Sequence, residues 1–166
     1  MKTLYAVIVP DHNITIVRAQ SEEEAFDLYA RENINDPFFL EEVESMAVNA
    51  SLMEKFFHDE KGSMFDDYKV VPDRLSQFSE EERQRYEDSW IRKNIRAFWS
   101  DRPRFAEEYI EEWEKSKRDE NYTPLYTTEF LVDTYKRLAK MDNFYEDFKI
   151  VPIDETKTIQ ELHGFD

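Results

Sequence analysis

Two pairs of residues have the types and spacing that metal-dependent nucleases use. Asp67 precedes Lys69 by two positions and Asp147 precedes Lys149 by two positions, so each pair lies on one face of a predicted strand. Nucleases of the restriction-endonuclease class use such an acid and lysine, with another acid upstream, to hold Mg²⁺ and orient water. The acids available upstream of the first pair are Asp59 and Glu60. Because strand edges also carry Asp and Lys for solubility, nuclease activity is a minor alternative.

Most other sites that bind cofactors or metals need residues that this chain does not have. The glycines are Gly62 and Gly164, whereas phosphate-binding loops need several glycines close together. The chain has no cysteine, and its three histidines, His12, His58 and His163, are scattered, which excludes the usual zinc sites. The Glu-x-x-His motif of di-iron proteins and the G-x-S-x-G nucleophile elbow are also absent. We therefore expect no catalytic residue, no cofactor and no metal, and a protein that is not an enzyme.

The charge of the chain is its most unusual property. Asp and Glu number 38 while Lys and Arg number 22, which gives a net charge of −16. Such a charge opposes direct binding to nucleic acids or anionic membranes, since both attract proteins through basic residues. Clusters such as Glu22–Glu24 and Glu80–Glu82 fall in predicted first helical turns, where the helix dipole favours carboxylates. The remaining acids have no such folding role and are candidates for binding a partner.

The best candidate surface is a predicted helix that carries five glutamates. Glu107, Glu111 and Glu114 share one face of this helix. Glu108 and Glu112 lie beside that face, while the aromatic residues of the helix point to the core. Carboxylates on neighbouring turns lie about 5–6 Å apart, which is comparable to the phosphate spacing along a nucleic-acid strand. The complete set of candidate partner-binding residues is Glu107, Glu108, Glu111, Glu112, Glu114, Asp66, Asp67, Glu146 and Asp147.

This distribution of charge predicts a non-enzymatic binding or inhibitor protein. Its surface would mimic DNA or RNA and occupy the basic nucleic-acid-binding surface of another protein, which is the predicted partner. In charge and size alone, the chain resembles the small acidic antirestriction and anti-CRISPR proteins of phages and mobile elements. The alternative is an acidic protein-interaction or scaffolding module whose charge serves solubility.

One stretch runs against the acidic composition. Between Ile91 and Phe105 lie five basic residues and one acid, interleaved with Phe98 and Trp99. One interpretation is a basic-aromatic patch that binds nucleic acid or an acidic partner. The preferred interpretation is that these cations pair with the surrounding glutamates and that the aromatic residues belong to the core.

Two similar phrases, FDDYKVVPD at residues 65–73 and YEDFKIVPID at 145–154, indicate an internal duplication. Each is a predicted strand ended by a proline, as is the first strand at residues 4–11. A Ser/Thr-x-x-Glu box, which predicts a helix start, follows each of the three strands. The boxes are Ser21 to Glu24, Ser79 to Glu82 and Thr158 to Glu161. We predict repeat halves at approximately 1–67 and 68–147, and a truncated third strand-helix unit at 148–166.

Hydrophobic periodicity predicts the remaining elements. Residues 14–19 alternate as a strand does and complete an opening hairpin. Apolar residues at helical spacing predict helices over 37–57 and 80–99, and two more around 105–113 and 131–138. The segment 115–124 is the clearest predicted loop. The predicted fold is α+β, a small sheet of about four strands with five or six packed helices, in a single compact domain over 1–166.

The sequence also bears on where the protein works. Its first apolar run has six residues and ends at Pro10, which is too short for the core of a signal peptide. No apolar stretch approaches the ~18 residues of a membrane span. We expect a cytoplasmic protein, acting in the host cytoplasm if a phage encodes it.

Overall fold

The computed structural model describes residues 1–9, 13–45, 79–140 and 148–159. Within these ranges the chain forms a three-stranded antiparallel sheet and five helices, which confirms the α+β class. The predicted second-copy strand at 68–71, which would supply a fourth strand, lies outside the described residues. No helix in the described ranges combines the length and the apolar character that crossing a bilayer requires. The described elements are β1 (Thr3–Ile8), β2 (Ile14–Ala19), α1 (Glu22–Asn33), α2 (Pro37–Ser45), α3 (Glu80–Phe98), α4 (Pro103–Arg118), α5 (Thr128–Ala139) and β3 (Lys149–Pro152).

The chain divides into two compact units. The sheet-containing unit comprises Met1–Leu40 and Thr127–Asp166, and the α3–α4 unit comprises Glu41–Tyr126. These bounds do not coincide with the predicted repeat halves, because the sheet-containing unit draws on both ends of the chain. The single compact domain and the repeat halves therefore stay predictions.

In the sheet-containing unit the strand order is β2-β1-β3, with β1 in the centre. Strands β1 and β2 pair antiparallel, from Thr3 opposite Ala19 to Ile8 opposite Ile14, which confirms the opening hairpin. The second half of β1 is fully buried, while β2 alternates exposed and more buried positions. That alternation is typical of a strand with one face toward the interior and the other toward water.

Strand β3 pairs antiparallel with the other side of β1. Its register sets Lys149 opposite Ile8 and Pro152 opposite Tyr5. Pro152 is the last residue of β3, as the proline stop predicts, and it has no N–H to offer a further strand. The chain continues along β1 for one more bond, in which the Ile153 amide donates to the Leu4 carbonyl at 2.8 Å.

Aromatic side chains connect the helices of this unit to one another and to the sheet. The ring centroids of Phe26 in α1 and Phe148, which precedes β3, lie 5.1 Å apart. Tyr135 of α5 contacts two rings edge-on, Tyr29 at 6.0 Å and Phe39 at 5.1 Å. Such pairs add to the stability that burial of their area already gives.

The predicted helix starts are realised by side-chain caps. The Ser79 hydroxyl accepts from the Glu82 amide at 3.2 Å, and the Glu82 carboxylate accepts from the Ser79 amide at 2.8 Å, so this capping box is complete. The Ser21 hydroxyl accepts from the Glu24 amide in the same way. The Glu24 carboxylate, however, bonds to the amide of Gln20 rather than to that of Ser21. In the third predicted box Glu161 lies outside the described residues.

In the α3–α4 unit, a short connection at residues 99–102 joins two long helices. Helix α4 begins at Pro103, whose ring is compatible with a first helical position. The buried apolar side chains of this pair include Ile95, Trp99, Tyr109 and Trp113. Tyr109 also donates its hydroxyl to the carbonyl of Val43 at 2.7 Å, so this buried polar group is satisfied.

The predicted loop at 115–124 is wrong at its beginning. Helix α4 continues to Arg118, and the irregular segment begins at Asp119. The physical reason is that Lys115, Lys117 and Arg118 are good helix formers and interact favourably with the C-terminal end of the helix dipole.

The helix pairs α1–α2 and α3–α4 share one arrangement, in which a short connection leads to a second helix that starts with proline. The first connection is residues 34–36 and the second is residues 99–102. The predicted extension of α2 to residue 57 lies beyond its described end at Ser45 and outside the described residues. Because the second-copy strand also lies outside them, the internal duplication stays a prediction.

Candidate functional site

The three glutamates predicted to share one face of α4, here called the glutamate row (Glu107, Glu111 and Glu114), all have basic neighbours. Arg96 of α3 bonds Glu107 with 2.8 Å between Nε and Oε1. Arg92 of α3 bonds Glu114 at 2.6 Å. Glu111 pairs along its own helix with the Lys115 ammonium at 3.1 Å. The row therefore connects α4 to α3 and to its own last turn.

Basic side chains offset most of the negative charge in this part of the molecule. Residues 79–126 contain 13 acidic and 10 basic side chains, so the region is nearly balanced. The hydrogen bond from Arg96 holds the pKa of Glu107 below its usual range, and the same bond raises the pKa of Arg96. Both side chains are more than half exposed, so the pair contributes little to stability. Its main effect is to cancel the field that a partner would meet.

Glu112 was predicted to lie beside the exposed face, and the structure corrects this prediction. The residue is only 7% exposed, and its carboxylate is used inside the unit. Its Oε2 accepts from the Tyr122 hydroxyl at 2.5 Å and from the Leu125 amide at 2.8 Å, while its Oε1 accepts from Lys115 at 3.2 Å. Glu112 therefore anchors the segment 119–126 against α4 and is not available to a partner.

The electrostatics of Glu112 follow from these bonds. Burial by itself raises the pKa of the carboxyl group, since it penalises the charged form. The bonds from Leu125, Tyr122 and Lys115 outweigh burial and hold the pKa of Glu112 below its usual range. The same bond to Glu112 raises the pKa of the Tyr122 hydroxyl. Glu112 is thus a charged anchor at neutral pH.

The structure supports the preferred interpretation of the stretch between Ile91 and Phe105. Phe98 and Trp99 are buried, with ring centroids 5.1 Å apart. Two of the five cations, Arg92 and Arg96, pair with glutamates of α4. The stretch therefore supplies core residues and charge partners within its own unit.

The segment that Glu112 anchors borders a pocket of about 330 Å³, here called the acidic pocket. Among the described residues its lining contains two carboxylates, several hydroxyl groups and aromatic rings. Cations of the same chain lie over two of these rings, Lys117 over Trp113 at 4.8 Å and Lys115 over Tyr122 at 5.9 Å. The described lining residues are Glu44, Trp113, Ser116, Glu120, Tyr122, Thr123, Pro124 and Tyr126. The Tyr126 ring stacks on Tyr109 with 5.9 Å between centroids, which fixes one wall.

Sequence reasoning did not find this pocket. The sequence of the segment that contains Tyr122, Pro124 and Tyr126 predicts only a loop. Glu44 belongs to α2, which is far from that segment in the sequence. The sequence signal that was available is the aromatic content of the segment, because tyrosine is buried more often than the polar residues typical of loops.

Helices α1 and α2 carry a second set of carboxylates that differs from the glutamate row. Residues 22–45 contain nine acidic side chains and one basic side chain, Arg31. Asp27 is paired, since it accepts from Arg31 at 2.7 Å and from Lys136 at 2.8 Å. Five exposed glutamates, here called the unpaired acids, form no ion pair with any residue that the structure describes. They are Glu22, Glu23, Glu32, Glu41 and Glu44.

Glu108 lies half-buried in α4, and the other predicted site residues are outside the described ranges. These are Asp66, Asp67, Glu146 and Asp147, together with Lys69 and the upstream acids of the nuclease hypothesis. Lys149 is described, as the first residue of β3. In the described ranges, no three acidic or histidine side chains come together as a metal site would require.

Comparison of the chain with known protein families, with curated proteins and with solved structures gave no match.

Proposed function

We propose that this protein is a non-enzymatic acidic binding protein that engages the basic nucleic-acid-binding surface of another protein. The unpaired acids of α1 and α2, rather than the glutamate row of α4, supply the electrostatic attraction. The observation that carries the proposal is that basic residues offset the acidic charge in one region of the chain and not in another. Residues 22–45 contain nine acidic side chains and one basic side chain, whereas the numbers of acidic and basic side chains over residues 79–126 are nearly equal.

The positions of three unpaired acids support a role in binding. Glu32 lies in the last turn of α1, where the helix dipole disfavours a negative charge. Glu41 and Glu44 lie beyond the first turn of α2, a helix with no acid in its first turn and no base in its last. Acids at these positions do not stabilise their helices. Each of them adds attraction to a basic partner instead.

A pair of matched charge reversals tests the proposal. Glu32→Lys/Glu41→Lys changes the net charge by +4 at unpaired acids, and Glu107→Lys/Glu111→Lys makes the same change in the glutamate row. Wild type and both variants are immobilised, exposed to lysate at a series of ionic strengths, and the captured proteins are identified by mass spectrometry. We expect wild type to capture nucleic-acid-binding proteins at low salt and to release them as salt rises.

Three results separate the hypotheses. Loss of capture in Glu32→Lys/Glu41→Lys with retention in the α4 variant supports the proposal. The reverse pattern assigns binding to the glutamate row and overturns the α1–α2 assignment. Captured proteins that are not displaced by added DNA or RNA contradict mimicry and favour the scaffolding alternative. In a parallel assay, DNA or RNA cleavage with Mg²⁺ that is lost in Lys69→Ala or Lys149→Ala would establish the nuclease alternative.

A further inference from the structure

The segment 119–126, which follows α4, is irregular and depends on tertiary contacts for its position. Pro124 has no N–H group to place in a helix or a strand ladder. Two backbone bonds of the segment are local, since the amides of Asn121 and Tyr122 both donate to Asp119. Local bonds persist when a segment moves, so they do not attach it to the rest of the unit.

Two hydrogen bonds from this segment to α4 end on the same oxygen atom. The Tyr122 hydroxyl and the Leu125 amide both donate to Oε2 of Glu112, at 2.5 Å and 2.8 Å. The other carboxylate oxygen of Glu112 accepts from Lys115, one turn further along α4, at 3.2 Å. Because one charged group serves both donors, removal of its charge weakens both bonds together.

Much of the segment is in contact with water. Five of its eight residues are exposed, and Leu125 is 73% exposed. Its aromatic side chains contact α4, where Lys115 lies over the Tyr122 ring and Tyr126 stacks on Tyr109. Segments that bury little apolar surface open at a lower cost in free energy than the helices they pack against.

We infer that segment 119–126 opens as one unit while α3 and α4 stay folded, and that Glu112 is the residue that holds it closed. The inference concerns a motion, whereas the anchoring bonds by themselves describe only the closed form. Opening also removes the acidic pocket, since the segment supplies five of the described lining residues. The pocket is therefore a property of the closed form.

Native-state hydrogen exchange of the full chain, followed by NMR at a series of low urea concentrations, tests whether the segment opens separately. After correction for intrinsic rates, we expect the Leu125 amide to exchange at least about tenfold faster than the slowest amides of α4. Its rate should change little with urea, because local opening exposes little surface. If the Leu125 amide and those amides share one rate and one urea dependence, the segment opens only with the helices and the inference is wrong.

Tyr122→Phe tests whether the segment opens as one unit. The substitution removes one donor and leaves the Leu125 amide its own acceptor on Glu112. Opening as a unit predicts that the protection of the Leu125 amide falls by about tenfold, because the lost bond to a charged acceptor stabilised the whole closed form. Unchanged protection would show that the two bonds open independently and would overturn the unit.

Glu112→Gln tests the residue that holds the segment, and Glu111→Gln is the matched control, with the same loss of charge at an exposed neighbour. The first should lower the protection of the Leu125 amide by about tenfold or more, since both donors lose a charged acceptor. The control should stay within about twofold. Equal effects would contradict the role of Glu112.

Two features of this design keep its outcomes separate. If Glu112→Gln does not fold, the urea series on the wild type and the result of Tyr122→Phe still decide the inference. The inference does not rest on the proposed function, because neither Glu112 nor Tyr122 belongs to the unpaired acids.

Discussion

Two acidic regions of this molecule differ in how their charge is compensated. Over residues 79–126 the glutamate row pairs with Arg92, Arg96 and Lys115, and acids and bases are nearly balanced. In residues 22–45 the acids outnumber the bases nine to one. A count of carboxylates does not distinguish these regions, since both appear rich in glutamate. The number of basic residues does distinguish them, since residues 79–126 contain ten and residues 22–45 contain one.

Within the α3–α4 unit, the carboxylates that have hydrogen-bond or ion-pair partners also differ in how deeply they are buried. The Arg96–Glu107 pair is exposed, and such pairs contribute about 0–1 kcal/mol. Glu112 is buried and satisfies a hydroxyl, a backbone amide and an ammonium. Losing a buried charged acceptor costs more, because its donors are left without partners. Stability should therefore depend on Glu112 far more than on the glutamate row.

The largest expected effect is that of Glu112→Ala. It removes the acceptor of the Tyr122 hydroxyl and the Leu125 amide, so we expect a loss of about 2–4 kcal/mol in the free energy of unfolding. Urea unfolding measures this value. Glu111→Ala, one position away and exposed, is the control and should lie within about 0.5 kcal/mol of wild type. Similar losses in both variants would contradict the anchoring role of Glu112.

The next effect in size depends on pH. The pKa of Glu112 is lowered in the folded state, so its charge stabilises the fold above the unfolded value of about 4.3. This contribution is lost as the pH falls through the lower folded pKa. The stability gap between wild type and Glu112→Gln should therefore be about 1–2 kcal/mol at pH 7 and shrink below about pH 4. A gap that widens toward acid would show that the lowered pKa is wrong.

The smallest effect concerns Glu114 and Glu32 and sharpens the comparison directly. Glu114→Lys loses the bond to Arg92 and sets a cation beside Arg118, so it should cost about 1 kcal/mol. Glu32→Lys sets a cation in the last turn of α1 and should gain about 0.3–0.5 kcal/mol. Thermal denaturation at low salt compares the two reversals. Equal losses would mean that the acids of α1 are compensated after all.

Local features of the fold could be predicted well from the sequence. The caps at Ser21 and Ser79, the proline at the start of α4 and the strand ending at Pro152 all follow from interactions within a few residues. The end of α4 was predicted too early, because the polar sequence after Trp113 resembles a loop although its lysines and arginine favour helix.

The candidate sites were predicted less well, and the reason is the sequence distance of their contacts. The sequence by itself determined the charge of −16, the helix starts and the absence of cysteine chemistry. Only the tertiary structure decided that Arg92 meets Glu114, which is 22 positions away, and that Leu125 bonds Glu112, which is 13 positions away. A carboxylate near the middle of an acidic helix has the same sequence context whether it is exposed or buried. Its role depends on which other part of the chain packs against it. For Glu112 that part is the segment 119–126.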